Sequence, residues 1–250
     1  MSSSTAFISD IHLCEAQTDI TRAFVHFIEK VAPQFDSVYI LGDLFDYWIG
    51  DDCTTAYHKY IIKKLHTLSK TTPWYFLPGN RDFLIGNQFA QAAGCTILPE
   101  IVTHEIQGYR VLLTHGDLLV QADYGYRFFR YCVQSHLAKK CFYSLPVPWR
   151  VRIADYLRSA SQQITRKKTP RHFATSIKPL HAELTKNQAE MIIYGHIHRS
   201  SIAYTHVPHD VLVYSLGDWR PFLPSWLLLL SRESVSLDVL SEELDDELLI

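Results

Sequence analysis

Five short apolar runs, each closed by a polar constellation, constrain this chain of 250 residues more than anything else in it. The runs are Ala6-Phe7-Ile8, Val38-Tyr39-Ile40-Leu41, Trp74 to Leu77, Val111-Leu112-Leu113 and Met191 to Tyr194. The groups that follow them are Asp10-x-His12, Gly42-Asp43, Gly79-Asn80-Arg81-Asp82, His115 and Gly195-His196-x-His198. Runs this short, rich in β-branched and aromatic residues and closed by Gly, read as buried strands. The polar groups then stand at strand exits, and open α/β sheets gather such exits along one edge, where ligands bind. Carboxylate, imidazole and amide groups without a thiolate suit hard-to-borderline divalent ions such as Mn²⁺, Mg²⁺ or Zn²⁺.

Between the runs, residues 19–32 (Ile20, Phe24, Phe27, Ile28, Val31) and 55–70 have the apolar spacing of helices. The chain thus starts β-α-β-α-β, which places it in the α/β class. A short helix is expected over 86–94, ending at Gly94, and two strands over 97–114 joined at Gln107-Gly108. Residues 122–172 break the pattern and read as an insert of two or three helices, with Pro146 and Pro148 marking a helix start near Trp149. Strand character returns at 191–194, 202–206, 211–216 and 234–240, and Trp226 to Leu230 reads as a core strand. The acidic stretch 241–246 is expected to be solvated. Gly-Asp recurs at 42–43, 116–117 and 217–218, which we read as repeated use of a Gly-permitted turn at a strand end. No Walker A or Gly-x-Gly-x-x-Gly pattern is present, so nothing supports ATP or dinucleotide use.

An apolar content of 47% with 20% charged residues describes a globular chain. The net charge of −2 hides an asymmetry, because residues 124–182 carry twelve Lys/Arg and one acid, Asp155. In that segment Trp149, Ile153, Tyr156 or Leu157, and Ala160 form a helical stripe flanked by Arg150, Arg152 and Arg158. It reads either as a hairpin packed on the core with a solvated basic face, or as a cap that meets an anionic membrane and admits a lipid. Five cysteines without a Cys-x-x-Cys pair argue against a disulfide framework and fit a reducing cytosol. No leader is expected before the first strand. The longest apolar stretch falls far short of the roughly 20 residues of a spanning helix, so any membrane contact is expected to be peripheral.

The ordered motifs Asp10-Ile11-His12, Gly42-Asp43-Leu44-Phe45-Asp46, Gly79-Asn80-Arg81-Asp82, His115 and Gly195-His196-Ile197-His198 resemble the calcineurin-like metallophosphoesterase family. That resemblance implies a β-sandwich core flanked by helices, with a helical cap insert at 122–172. It implies two divalent ions, Mn²⁺ in the first place. Asp10, His12, Asp43 and His198 would hold one, and Asp43, Asn80, His115 and His196 the other, with Asp43 as the bridge. Two such cations about 3.5–4 Å apart activate water, neutralise charge and set in-line geometry. The Asp-x-His and His-x-His spacings suit an extended segment, in which i and i+2 share a side. Asp46, Asp82 and Asp117 read as groups that orient imidazoles or backbone.

Within the family, Trp48-Ile49-Gly50-Asp51-Asp52, Arg81 in place of the more usual His, and Leu216-Gly217-Asp218-Trp219 resemble the branch acting on UDP-2,3-diacylglucosamine in lipid A synthesis. The implied reaction is water attack at the α-phosphorus, giving UMP and 2,3-diacylglucosamine 1-phosphate. Arg81, His196 and Asp43 are the implied catalytic residues. Asn80, Arg81, His196, Asp123, Arg158, Ser161, Thr165 and Lys168 are the implied substrate contacts. Thr165 departs from the Asn of that branch. A UDP-linked diacylated glucosamine lipid, anionic membrane on the cytoplasmic side of the inner membrane, no nucleic acid and a monomeric state are the expected partners. Two competing readings stand beside this one: another phosphodiesterase or nuclease on the same metal core, and a scaffold whose metals only stabilise the fold.

Overall fold

Alternation along the short strands decides the layering. The computed structural model describes residues 3–119, 135–156, 176–220 and 225–240. The strands are β1 (Ser4–Ile8), β2 (Ser37–Ile40), β3 (Trp74–Phe76), β4 (Thr96–Ile97), β5 (Ile101–Ile106), β6 (Tyr109–Thr114), β7 (Met191–Tyr194), β8 (Ser201–Thr205), β9 (Val211–Ser215), β10 (Ser225–Ser231) and β11 (Val235–Leu240). One sheet has the order β11-β10-β1-β2-β3-β4 and the other β5-β6-β7-β9-β8. In the first, β1 to β4 run parallel and β10 is antiparallel to β1. In the second, β6, β7 and β9 run parallel, with β5 and β8 antiparallel at the edges.

Successive side chains point to opposite faces of a sheet. Phe7, Tyr39, Leu228 and Leu230 therefore pack with Val111, Leu113, Met191 and Ile193 between the two sheets. Ala6, Ile8, Val38 and Ile40 face the other way, onto the helices α1 (Thr18–His26), α2 (Ala56–Leu68) and α3 (Asn87–Ala93). On the far side, Leu112, Ile192, Val211 and Val213 pack with Leu180 and Leu184. Each large apolar side chain fully removed from water contributes about 1.5–3 kcal/mol. The layer between the sheets is therefore what holds their strand ends in register at the site.

The helix expected at 19–32 is α-helical only to His26, continues as a π-turn over Phe27–Val31 and closes as a 3₁₀ turn over Ala32–Gln34. Pro33 explains this, since it cannot donate to a carbonyl four residues back and its ring crowds that turn. The α3 helix ends at Gly94, whose φ of 73° is left-handed, as its sequence position suggested.

Of the expected insert, two helices are described: α4 (His136–Ser144), capped by Ser135 Oγ accepting from the Ala138 N–H at 3.2 Å, and α5 over 147–156. The rest of 122–172 lies outside the described residues. The stripe assigned to α5 is not its packing face. Trp149 and Tyr156 are 57% and 72% exposed, whereas Arg150 is 3% exposed. A guanidinium making four hydrogen bonds reverses the facing that the apolar pattern suggests. The last described helix is α6 (His181–Asn187). Among the described residues no helix is long and apolar enough to cross a membrane.

Candidate metal centre

Five strands, β1, β2 and β3 of one sheet and β6 and β7 of the other, deliver their C-terminal loops to one place. After β1 and β2 the backbones run side by side, with the Asp10 N–H donating to Gly42 O (3.1 Å), His12 N–H to Asp43 O (2.9 Å) and Leu13 N–H to Leu44 O (2.8 Å). After β6 and β7, the Gly195 N–H donates to His115 O at 2.9 Å. The two sheets are then joined through Asp10, whose Oδ2 accepts from Ser9 Oγ at 2.6 Å and from the His196 N–H at 2.8 Å. Glycine is required where these loops touch. A Cβ on Gly79 would lie 2.2 Å from Asp43 Oδ1, and one on Gly42 would lie 2.6 Å from His115 Nδ1.

The Asp-x-His and His-x-His pairs are not extended, contrary to the spacing argument. Asp10, His12, Asp43, His196 and His198 all have positive φ, between 53° and 69°. Asp and His tolerate this region better than most residues, and such strain gathers at functional sites. The left-handed residues, not strand pleating, bring i and i+2 to one side.

The side chains form two groups sharing one carboxylate. In the first, His198 Nε2 lies 3.3 Å from Asp10 Oδ1 and 3.3 Å from His12 Nε2, which is 4.0 Å from Asp43 Oδ2. In the second, His115 Nε2 lies 3.6 Å from Asp43 Oδ2 and 3.0 Å from Asn80 Oδ1, and His196 Nδ1 lies 3.0 Å from the same Asn80 oxygen. Asp10, His12 and His198 have the mutual spacing of ligands to one ion, as do Asp10, Asp43 and His115. All seven metal ligands expected from the sequence are thus brought together.

Hydrogen bonding fixes what these rings present. His115 Nδ1 donates to Leu41 O at 2.8 Å, and His198 Nδ1 donates to Asp218 Oδ2 at 2.9 Å. In the neutral form of each ring Nε2 carries the lone pair, aimed at other lone pairs on Asn80, Asp43 and Asp10. Acceptors converging on acceptors call for cations between them, and a nitrogen and oxygen donor set fits a hard-to-borderline divalent ion. The titration behaviour agrees. Burial lowers His115, but Asp43, Asp10 and Asp117 outweigh it and hold the ring up at about 9. Burial also lowers His198, but Asp10 and Asp218 raise it to about 10. Burial alone would raise Asp10, yet the His198 hydrogen bond and the surrounding imidazoles hold it well below the usual carboxylate range. His196 is pushed well down by burial and by His115. Without metal, protons take up the positive charge that the site is built to hold.

The supporting acids differ in role. Asp82 is fully buried and accepts the N–H groups of Gly79 (2.8 Å), Leu44 (2.7 Å) and Asp43 (3.2 Å), tying two site loops together. Burial and the charge of Asp43 outweigh these bonds and push its carboxyl up to about 7. Asp46 Oδ1 lies 3.5 Å from Arg81 Nη1, while the Arg81 N–H donates to Asp43 Oδ1 at 2.9 Å. Burial raises Asp117, beside His115, to about 6. Asp218 and Ser9 went unassigned from sequence. The recurrence of Gly-Asp at 217–218, after a run like those at 42–43 and 116–117, was the available signal for Asp218. Asp123, Arg158, Ser161, Thr165 and Lys168 lie outside the described residues.

A family model described as "Calcineurin-like phosphoesterase" matches residues 3–200. The chain is 40% identical over 220 residues to a UDP-2,3-diacylglucosamine hydrolase of Photorhabdus laumondii, covering 86% of this chain and 91% of that protein. It is 38% identical over 222 residues to a UDP-2,3-diacylglucosamine hydrolase of Yersinia pestis, covering 87% and 91%. Among solved structures, an archaeal phosphodiesterase aligns over 94% of this chain and 99% of its own, with 15% identity and a TM-score of 0.48.

Proposed function

Since this chain belongs to the calcineurin-like phosphoesterase family, we propose that it hydrolyses the pyrophosphate of UDP-2,3-diacylglucosamine to UMP and 2,3-diacylglucosamine 1-phosphate. The observation that carries the reading is the pair of lone-pair clusters sharing Asp43, in a chain at 38–40% identity to hydrolases of that substrate. Asp10, His12, Asp43 and His198 would hold one ion, and Asp43, Asn80, His115 and His196 the other. Mn²⁺ is the ion we assign to both. When bound, the ions supply Lewis-acid polarisation of the phosphate and a water acidic enough to attack near neutral pH.

The chain's own residues do the rest. Leu41 O and Asp218 fix the tautomers of His115 and His198. Arg81, held at its backbone by Asp43 and at its side chain by Asp46, forks onto the phosphate oxygens and neutralises the charge that builds up in the transition state. His196, neutral because its ring is pushed well down, is suited to hydrogen-bond the scissile phosphate. Asp123, Arg158, Ser161, Thr165 and Lys168 are assigned to the nucleotide, sugar and phosphate groups by the sequence pattern. The basic insert contacts anionic lipid on the cytoplasmic side of the inner membrane, and the chain works as a monomer.

The test is turnover of UDP-2,3-diacylglucosamine in detergent with Mn²⁺, run in H₂¹⁸O. Label in UMP, with activity lost on EDTA treatment, supports attack at the α-phosphorus. Label in the lipid phosphate overturns the site of attack. Turnover of a generic phosphodiester without the lipid nucleotide overturns the substrate and keeps the metal centre.

A further inference from the structure

Outside the metal centre, Arg150 is the most extensively hydrogen-bonded side chain among the described residues of the insert. It belongs to α5, yet it is 3% exposed. Its Nη1 and Nη2 donate to the two oxygens of Asp52 at 2.8 and 2.6 Å, a bidentate pair. Nη1 also donates to Ile49 O at 3.0 Å, and Nε donates to Leu145 O at 3.1 Å. One guanidinium thus joins α5, the end of α4 and the loop 48–53 of the core. Gly50 records how tightly this junction is packed. Its φ is 124°, and a Cβ there would lie 2.6 Å from Asp52 Oδ1, 2.9 Å from Arg150 Nη1 and 3.0 Å from Tyr143.

Loop 48–53 is also a neighbour of the reactive groups. The Trp48 N–H donates to Arg81 O at 3.1 Å. Trp48 Nε1 donates to Asp51 at 3.0 Å, and Asp51 accepts the N–H groups of Gly86 and Phe89, fixing the segment that follows Arg81. On that same segment the described part of the insert makes two further polar contacts, Tyr143 OH donating to Leu84 O at 3.2 Å and Lys139 Nζ donating to Phe83 O at 3.5 Å. The insert and the Asn80-Arg81 loop are therefore referenced to one another through Asp52 and Arg150.

We propose that the Arg150–Asp52 pair, seated on Gly50, is a positioning clamp that fixes the helical insert against the Asn80-Arg81 loop and so sets the aperture through which the amphiphilic substrate reaches the metal centre. The partners of Arg150 are Asp52, Ile49 O and Leu145 O, none of them an expected metal ligand. The proposal rests on the lipid-nucleotide reading for its substrate, but not for its geometry. A planar fork makes the junction directional, so Lys cannot replace Arg150 at full effect. A displaced insert removes binding that ground state and transition state share, which raises KM and leaves kcat in place.

Arg150→Met, Asp52→Asn and Gly50→Ala each remove the junction by different chemistry. With UDP-2,3-diacylglucosamine and Mn²⁺, each is expected to raise KM by roughly tenfold or more while kcat stays within about threefold. Manganese content is expected to remain that of the wild type, and Arg150→Lys to fall between. The Arg150→Met/Asp52→Asn double variant is expected to match the stronger single variant, because residues of one unit do not add. Hydrogen exchange is expected to rise in 136–156 and not in β1, β2, β6 or β7. Additive effects, an unchanged KM, or loss of manganese with exchange rising throughout the core would each overturn the clamp. If the wild type fails to turn over the lipid nucleotide, the substrate reading fails, and the exchange pattern alone then decides for or against the clamp.

Discussion

Replacing Asp82 by Ala tests whether the site is organised by backbone amides or by metal alone. The carboxylate accepts from the Gly79, Leu44, Asp43 and Phe45 N–H groups at 2.8, 2.7, 3.2 and 3.4 Å, all buried. Each amide left without an acceptor costs about 1–3 kcal/mol, so four cost about 4–12 kcal/mol in a rigid structure. The space of a lost carboxylate is polar and admits a water, which can serve two of the four and leaves about 2–6 kcal/mol. Loss of the repulsion between Asp82 and Asp43, which helps to push Asp82 up to about 7, offsets part of the remainder. The expected loss is therefore about 2–4 kcal/mol, a large share of the 5–15 kcal/mol of a typical domain. Asp82→Asn, which keeps one acceptor oxygen, is expected to lose about half as much. Urea denaturation in EDTA gives the numbers from the shift in midpoint at constant slope. An Ala variant within 0.5 kcal/mol of the wild type would refute the amide accounting.

Asp43→Ala is expected to abolish turnover and lower bound manganese, since both clusters lose the carboxylate they share; elemental analysis with an activity assay checks it. Asp218→Ala removes the acceptor of His198 Nδ1 and is expected to weaken metal binding by about 10- to 100-fold, read by titration of the metal-free protein. Arg81→Ala is expected to lower kcat by roughly 10²–10³ if the guanidinium meets the transition state, whereas a change confined to KM would make it a substrate clamp. The hydrogen bond from Arg150 depresses Asp52 from 3.8 to about 2, so this carboxylate's stabilisation is fully present above pH 3.8 and is lost as pH falls towards 2. The stability gap between wild type and Asp52→Asn should accordingly be open at pH 5 and closed near pH 2, and, since Asp52 is half exposed, it should be small in high salt.

How much of this was legible in the sequence depends on how local each cause is. Strand exits were readable because a buried parallel strand is a short apolar run and the chain marks its end with Gly. The left-handed residues at Asp10, His12, Asp43, His196 and His198 escaped this reading, since nothing in residue spacing distinguishes an extended segment from one that turns at every second residue. The clearest failure is α5. An apolar stripe through Trp149 and Tyr156 argued for one face, but a guanidinium meeting Asp52 and the Ile49 carbonyl of a distant loop, besides the nearby Leu145 carbonyl, placed Arg150 inside instead. Asp52 stands 98 residues away in sequence, so no window along α5 contains the cause. Asp218 follows the same logic, 20 residues from His198 and joined to it only by the fold. What the chain spells out locally is where chemistry stands. What orients that chemistry comes from partners that only tertiary structure brings near, and those partners are where substitutions will separate binding from turnover.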